Sequence, residues 1–173
     1  MNPISITLNR TRQDLVTDIQ NLINQLKYTI VDQDINRPWG GYFRFDEHDG
    51  NDFKARFFQE ITLPDWAQGL PFSPKILFTA PHKRLSWQYH KRRGEVWKML
   101  FGNAQVYTSQ TDDQPQTPTN VNQGEIFQVP QGHRHRLCAT HTWVVWAEMW
   151  IHTNPDNPSQ EDDNIRVQDD FGR

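Results

Sequence analysis

From Arg37 onward the chain is cut into short pieces by turn-forming clusters. These are HDGND at 48–52, PDWAQGLPFSP at 64–74, FGN at 101–103 and TDDQPQTPTN at 111–120. Gly, Pro, Asn and Asp bend the backbone where neither helix nor strand continues. The pieces between them are too short for a helical core and carry the two-residue alternation of strands. Strands are expected at Tyr42–Phe45, Ala55–Leu63, Lys75–Thr79, Leu85–Tyr89, Val96–Phe101, Ala104–Thr108, Glu125–Val129 and Trp143–His152. Seven Trp and ten Phe supply the bulk a sheet core needs. About eight short antiparallel strands point to an all-β fold, either a small barrel or a two-sheet jelly roll.

Residues 9–27 follow another rule. Leu15, Ile19, Leu22, Ile23 and Leu26 recur on one face of an α-helix. Thr11 or Asn9 is its expected cap. The helix either packs against the barrel wall or serves as a dimer contact, and its polar face has few bases for a membrane surface. The chain therefore divides into a helical extension, 1–36, and a barrel with its tail, 37–173.

A net charge of −3 gives no global case for nucleic acid or an anionic membrane. The one cysteine, Cys138, rules out an intramolecular disulfide. No apolar run approaches the length of a membrane span, and the first residues lack the pattern of a secretory signal. A cytoplasmic protein is expected.

The stretch LSWQYHKRRGEVW, 85–97, breaks the alternation with polar chemistry. Leu85, Trp87 and Tyr89 read as one buried strand face, with Gln88 and His90 together on the other. A short turn at Lys91–Gly94 brings Glu95 back to face them. Further on, GEIFQVPQGHRHRL at 124–137 sets His133 and His135 after a Pro-x-Gly turn. Oxygens from Gln and Glu with two imidazole nitrogens suit a divalent borderline metal. The alternative is a polar cluster that hydrogen-bonds inside the barrel without metal. His133 reads as outward-facing or as a support to a ligand. His48, His82, His141 and His152 have no ligand spacing.

These spacings resemble the two motifs of the cupins. The first runs Gln88-x-His90, four residues, Glu95, six residues, Gly102. The second runs Gly124, five residues, Pro130-x-Gly132, two residues, His135, with Ala139 where Asn is usual. The resemblance implies a cupin double-stranded β-helix, a jelly-roll barrel with an N-terminal α-helix. It implies Gln88, His90, Glu95 and His135 as ligands of one divalent metal ion. Zinc stands first, with nickel, manganese, cobalt and iron as alternatives.

A closer resemblance covers about residues 37–173. RPWGGY (37–42), LSWQYHKRRGEVW (85–97), VPQGHRHRL (129–137) and DNIRVQDDFGR (163–173) are similar, in order, to the cupin domain of type II mannose-6-phosphate isomerases. That domain is often fused behind a mannose-1-phosphate guanylyltransferase. The resemblance implies a metal-dependent aldose–ketose isomerase that interconverts mannose 6-phosphate and fructose 6-phosphate through an enediol. It places Arg173 in the active site, where its permanent charge stabilises the enediolate. It also implies an ordered tail folded over the barrel mouth.

The sequence departs from the family's pattern. Arg92 and Val96 stand where the family has histidines, and Pro81-His82 where it has Pro-Gly. Residues 64–74 are inserted, and no Gly-rich nucleotide-binding signature is present. Glu148, His133 and a metal-bound hydroxide are candidates for the base. Lys91, Arg92 and Arg93, with Arg84 and Arg136, are candidates for a phosphate clamp, against the plainer reading of a solvated turn. The expected partners are a small phosphosugar and, since cupins commonly pair through their sheets, a second copy as a homodimer. Two other readings stand beside the isomerase. One is a different metal-dependent cupin enzyme, a sugar enzyme or an oxygenase, although Gln88 argues against the latter. The other is a non-catalytic cupin that binds sugar or metal.

Overall fold

Thr11 starts the first helix. Its hydroxyl oxygen accepts from the Asp14 N–H at 3.2 Å, and the Asp14 carboxylate accepts in return from the Thr11 N–H at 3.2 Å. This reciprocal cap satisfies two backbone donors that the helix itself leaves open. The computed structural model describes residues 10–172, so Asn9 and Arg173 lie outside the described residues.

The capped helix is α1 (Arg12–Leu26). After it come β1 (Ile30–Arg37), β2 (Gly40–Phe45), α2 (Gly50–Phe57), β3 (Lys75–Thr79), β4 (Trp87–Tyr89) and β5 (Arg93–Phe101). The chain continues through β6 (Ala104–Ser109), β7 (Thr119–Val121), β8 (Ile126–Val129), β9 (Arg134–Ala139), β10 (Val144–His152) and β11 (Ile165–Gln168). Two antiparallel sheets result, ordered β1-β2-β3-β10-β5-β8 and β11-β4-β9-β6-β7. The division drawn at 36/37 falls inside β1. Among the described residues no helix is long and apolar enough to cross a membrane.

Inside its exposed edge strand β1, the larger sheet is buried on both faces, and its alternation sorts side chains between them. Phe43, Phe45, Ile76, Phe78, Val96, Val145, Ala147 and Met149 join one core with Leu15, Val16, Ile19 and Ile23 of α1. The helix thus packs against the barrel wall. Each such side chain, removed from water, contributes on the order of 2 kcal/mol. Leu77, Trp97, Met99, Val144 and Trp146 point the other way and form the barrel interior with Val106, Val129 and Leu137. Lys75, Glu95 and Glu148 alternate in step with this second set and line a cavity there.

The strand expected at Ala55–Leu63 is not formed, since α2 occupies Gly50–Phe57. Phe53 and Phe57 lie one helical turn apart, and with Phe58 they are buried in the helix-side core. HDGND, read as a turn, supplies the start of that helix. Strands β1, β7, β9 and β11 were not expected. All four are rich in polar residues, and β1 and β11 are largely exposed.

Gly102 turns the chain from β5 to β6 at φ +74°, and a Cβ there would stand 2.3 Å from the Trp143 carbonyl oxygen. Gly102→Ala is therefore expected to cost at least about 2 kcal/mol, from left-handed strain plus the clash. The shift in denaturant midpoint measures it.

Candidate metal centre

Two strands and the residue after a third bring three side chains to one point. His90 directly follows β4, Glu95 lies near the start of β5, and His135 comes from β9, where it is the register partner of Gln88. One ligand atom from each of His90, Glu95 and His135 lies within 4.8 Å of the others, and all three residues are buried. His90 Nε2 is 2.9 Å from Glu95 Oε1, and His135 Nε2 is 3.6 Å from Glu95 Oε2. Gln88 lines the same cavity, and its side-chain oxygen accepts from the Ser86 hydroxyl at 2.6 Å.

The protons on the two rings fit a cation between them. His135 Nδ1 faces the His133 carbonyl at 3.0 Å, and His90 Nδ1 faces the Asp163 carbonyl. A carbonyl only accepts, so each Nδ1 carries the proton, which turns the two Nε2 atoms toward Glu95. Burial pushes the His135 ring down to about 4, leaving it neutral. Its Nε2 is buried and has no hydrogen-bond partner. A lone pair thus faces a carboxylate oxygen with no proton between them, and a divalent cation relieves that arrangement.

The surrounding charges are also ordered. Burial opposes ionisation of Glu95, but a protonated His90 ring, or with His90 neutral the Arg93 guanidinium, holds its carboxyl well below the usual range. The Arg93 Nε donates to Glu95 Oε1 at 3.2 Å, and the Trp97 indole N–H donates to Oε2 at 3.3 Å. Arg93 lies 4.1 Å over the ring of Trp150, which also carries Lys75 at 4.6 Å. Glu148 behaves in the opposite way. Burial first, and then the Glu95 charge, push its carboxyl up to about 8. Lys75 Nζ is 4.0 Å from Glu148 Oε1 and 3.1 Å from Glu161 Oε1.

Of the residues read as a phosphate clamp, only Arg93 lines this cavity of about 370 Å³. Arg84 grips Asp170 through two nitrogens, at 2.6 and 3.0 Å. Arg92 pairs with Asp162 at 2.5 Å. Arg136 is buried and donates to Gln114 at 2.8 Å. The Lys91 main chain donates to Asp163 at 2.9 Å. These groups hold the tail and the 110–114 loop. His133 contributes its carbonyl to His135 and is not part of the cavity wall. Glu148 is part of it, together with Arg37, Arg44, Lys75, Glu161 and Arg166, which sequence reasoning missed. Arg37 and Arg166 had a signal, as members of RPWGGY and DNIRVQDDFGR. Trp87 and Tyr89 lie on the far side of β4 from Gln88 and His90. Asp112 covers them, accepting from the Trp87 indole N–H at 2.6 Å, while Arg134 lies 4.0 Å over Tyr89.

No family model matches the chain, and no curated protein matches it. Solved structures do. The capsular polysaccharide assembling protein CapF from Staphylococcus aureus superposes with a TM-score of 0.53 at 13% identity, over 90% of this chain and 41% of that one. CapF with the inhibitor 3-isopropenyl-tropolone gives 0.52 at 14% identity, over 79% and 34%. Vicilin from Solanum melongena gives 0.50 at 16%, over 70% and 30%. The chain thus spans less than half the length of each of these proteins. At such identities the likeness carries the fold alone. The chain has the cupin-type double-stranded β-helix fold, and its buried His–Glu–His cluster offers three donors that could hold a metal ion.

Proposed function

We propose that the chain is a metal-dependent aldose–ketose isomerase of a phosphosugar, of the mannose 6-phosphate/fructose 6-phosphate kind. One observation carries the reading. Two carboxyl groups in one cavity are driven apart, Glu95 well below the usual range and Glu148 up to about 8. Such a split assigns one group to binding and the other to proton transfer. The motif resemblance supports the sugar-phosphate class.

Gln88, His90, Glu95 and His135 would hold a divalent metal, which would supply Lewis-acid polarisation of the sugar's carbonyl. Glu148 is then the base. A carboxyl near neutrality takes the C2 proton and returns it to C1, while the hydroxyl proton passes from O2 to O1. No oxidant or reductant is needed. Lys75 holds the Glu148 carboxylate once it ionises.

The phosphate goes to the cavity's own cations. Arg44 is the first choice, since its nearest carboxylates, Asp32 at 3.9 Å and Glu161 at 3.8 Å, are already engaged. Tyr42 donates to Asp32 at 2.9 Å and Ser73 to Glu161 at 2.7 Å. Arg44→Ala is expected to raise KM for mannose 6-phosphate roughly tenfold with kcat little changed, the effect of losing one charge-assisted contact.

The test is protein purified without chelators, assayed for bound metal and for exchange of the C2 hydrogen of mannose 6-phosphate with solvent. Bound metal with exchange that stops on chelation supports the reading. A metal-loaded protein that exchanges no hexose phosphate overturns it. A second reading, a sugar-binding barrel without turnover, draws on Arg93, which already neutralises Glu95. Tight sugar binding with no metal and no exchange would favour it.

A further inference from the structure

Between β10 and β11 the chain passes back over the His–Glu–His cluster, and Asp163 is the residue that meets it. Asp163 is 5% exposed. Its main-chain carbonyl accepts the Nδ1–H of His90 and, at 3.3 Å, an N–H of Arg93. Its carboxylate is held from three sides. The backbone N–H groups of Lys91 and Arg92 donate to separate oxygens at 2.9 Å each, and the Ser159 hydroxyl donates at 2.9 Å. The carboxylate therefore grips the turn that follows His90, and the carbonyl grips the His90 ring. Side chain and main chain close one ring of bonds around the ligand, and that ring fixes where the carbonyl points.

We propose that Asp163 is a positioning residue of the metal centre. It holds His90 as the Nδ1–H form and turns Nε2 toward Glu95. This rests on the metal reading above. The partner of a ligand histidine sets ring orientation and basicity, and its loss costs about 10–100-fold in metal affinity. Here a residue about seventy positions downstream holds that partner, so the C-terminal segment is part of the site.

The test compares the full chain with Asp163→Ala and Asp163→Asn. Zinc affinity is measured by competition with a chromogenic chelator, and the His90 ring nitrogens are followed by NMR in the metal-free protein. Asp163→Ala is expected to lose about 10–100-fold in zinc affinity, with the His90 Nδ1–H signal displaced. Asp163→Asn keeps one acceptor oxygen and is expected to fall between it and the parent, which decides the matter if the alanine variant does not fold. Lower stability with unchanged affinity and an unchanged His90 signal would overturn the proposal, leaving Asp163 a structural clamp. A parent that binds no zinc, with the His90 signal still displaced in the variants, would sink the metal reading and keep the role of Asp163 in orienting the ring.

Discussion

Glu148→Gln is expected to stabilise the protein at neutral pH and to stop turnover. Burial and the Glu95 charge hold the folded-state carboxyl at about 8, against 4.5 for an ordinary glutamate. The unfolded chain ionises first as pH rises, so the stability that this carboxyl contributes is complete below the unfolded value and is lost up to the folded one. The loss is about 1.4 kcal/mol per pH unit across that window, or about 3 kcal/mol by neutral pH. Glutamine has the shape of the protonated form and no proton to lose, so the variant escapes the loss. It also cannot carry a proton between carbons, which is expected to lower kcat by about 10²–10⁴ while zinc still binds. Denaturant midpoints of both proteins near pH 5 and pH 8 read the first effect and initial rates the second. A stability difference that stays flat across this range would remove Glu148 from its assigned state.

The sequence discloses the centre of the site more readily than its walls. Gln88, His90 and Glu95 are separated by one turn, and His135 follows a Pro-x-Gly turn, so local spacing sets their geometry. Asp163 opens the DNIRVQDDFGR stretch, but nothing local ties it to His90, because that contact comes from the tail crossing the barrel. The same distance explains the bases around His90. Arg92 and Arg84 look available in the chain, yet their partners Asp162 and Asp170 arrive from the last twenty residues. The cavity is lined instead by Arg44, an ordinary member of an alternating strand, and by Arg166 of the DNIRVQDDFGR stretch. Trp87 shows how alternation alone cannot tell the two faces of a strand apart. Both faces of β4 are covered, and the polar face is the one that looks into the barrel. In α2, a helix of eight residues, apolar spacing competes with a short-strand reading, and the buried Phe53–Phe57 pair decides it only once the helix-side core exists.

Glu95→Gln makes the same chemical change across the strand pair, and its expected effect has the opposite sign. Glu95 faces Trp150 in the β5–β10 register and Glu148 faces Trp97, so the two carboxyls sit two rungs apart on one face of the ladder. Glu95 is ionised and neutralises Arg93, which is 4% exposed and has no route to water that keeps its place over Trp150. Removing Glu95 leaves Arg93 only the longer ion contact to Asp163, at 3.9 Å, and losing one partner of a buried pair costs about 3–5 kcal/mol. The pH dependence reverses as well. A depressed carboxyl contributes stability above the unfolded value and loses it as pH falls, so the parent approaches the variant in acid rather than in base. The amide is also a neutral ligand in place of an anionic one between two imidazoles, and zinc affinity is expected to drop by at least about 100-fold. Midpoints for both variants on one pH series, with zinc competition alongside, decide the charge assignment. Opposite signs at neutral pH place the negative charge on Glu95 and the proton on Glu148. The same sign in both would mean that the cavity does not separate its carboxyls, and the division of labour proposed for them would fall.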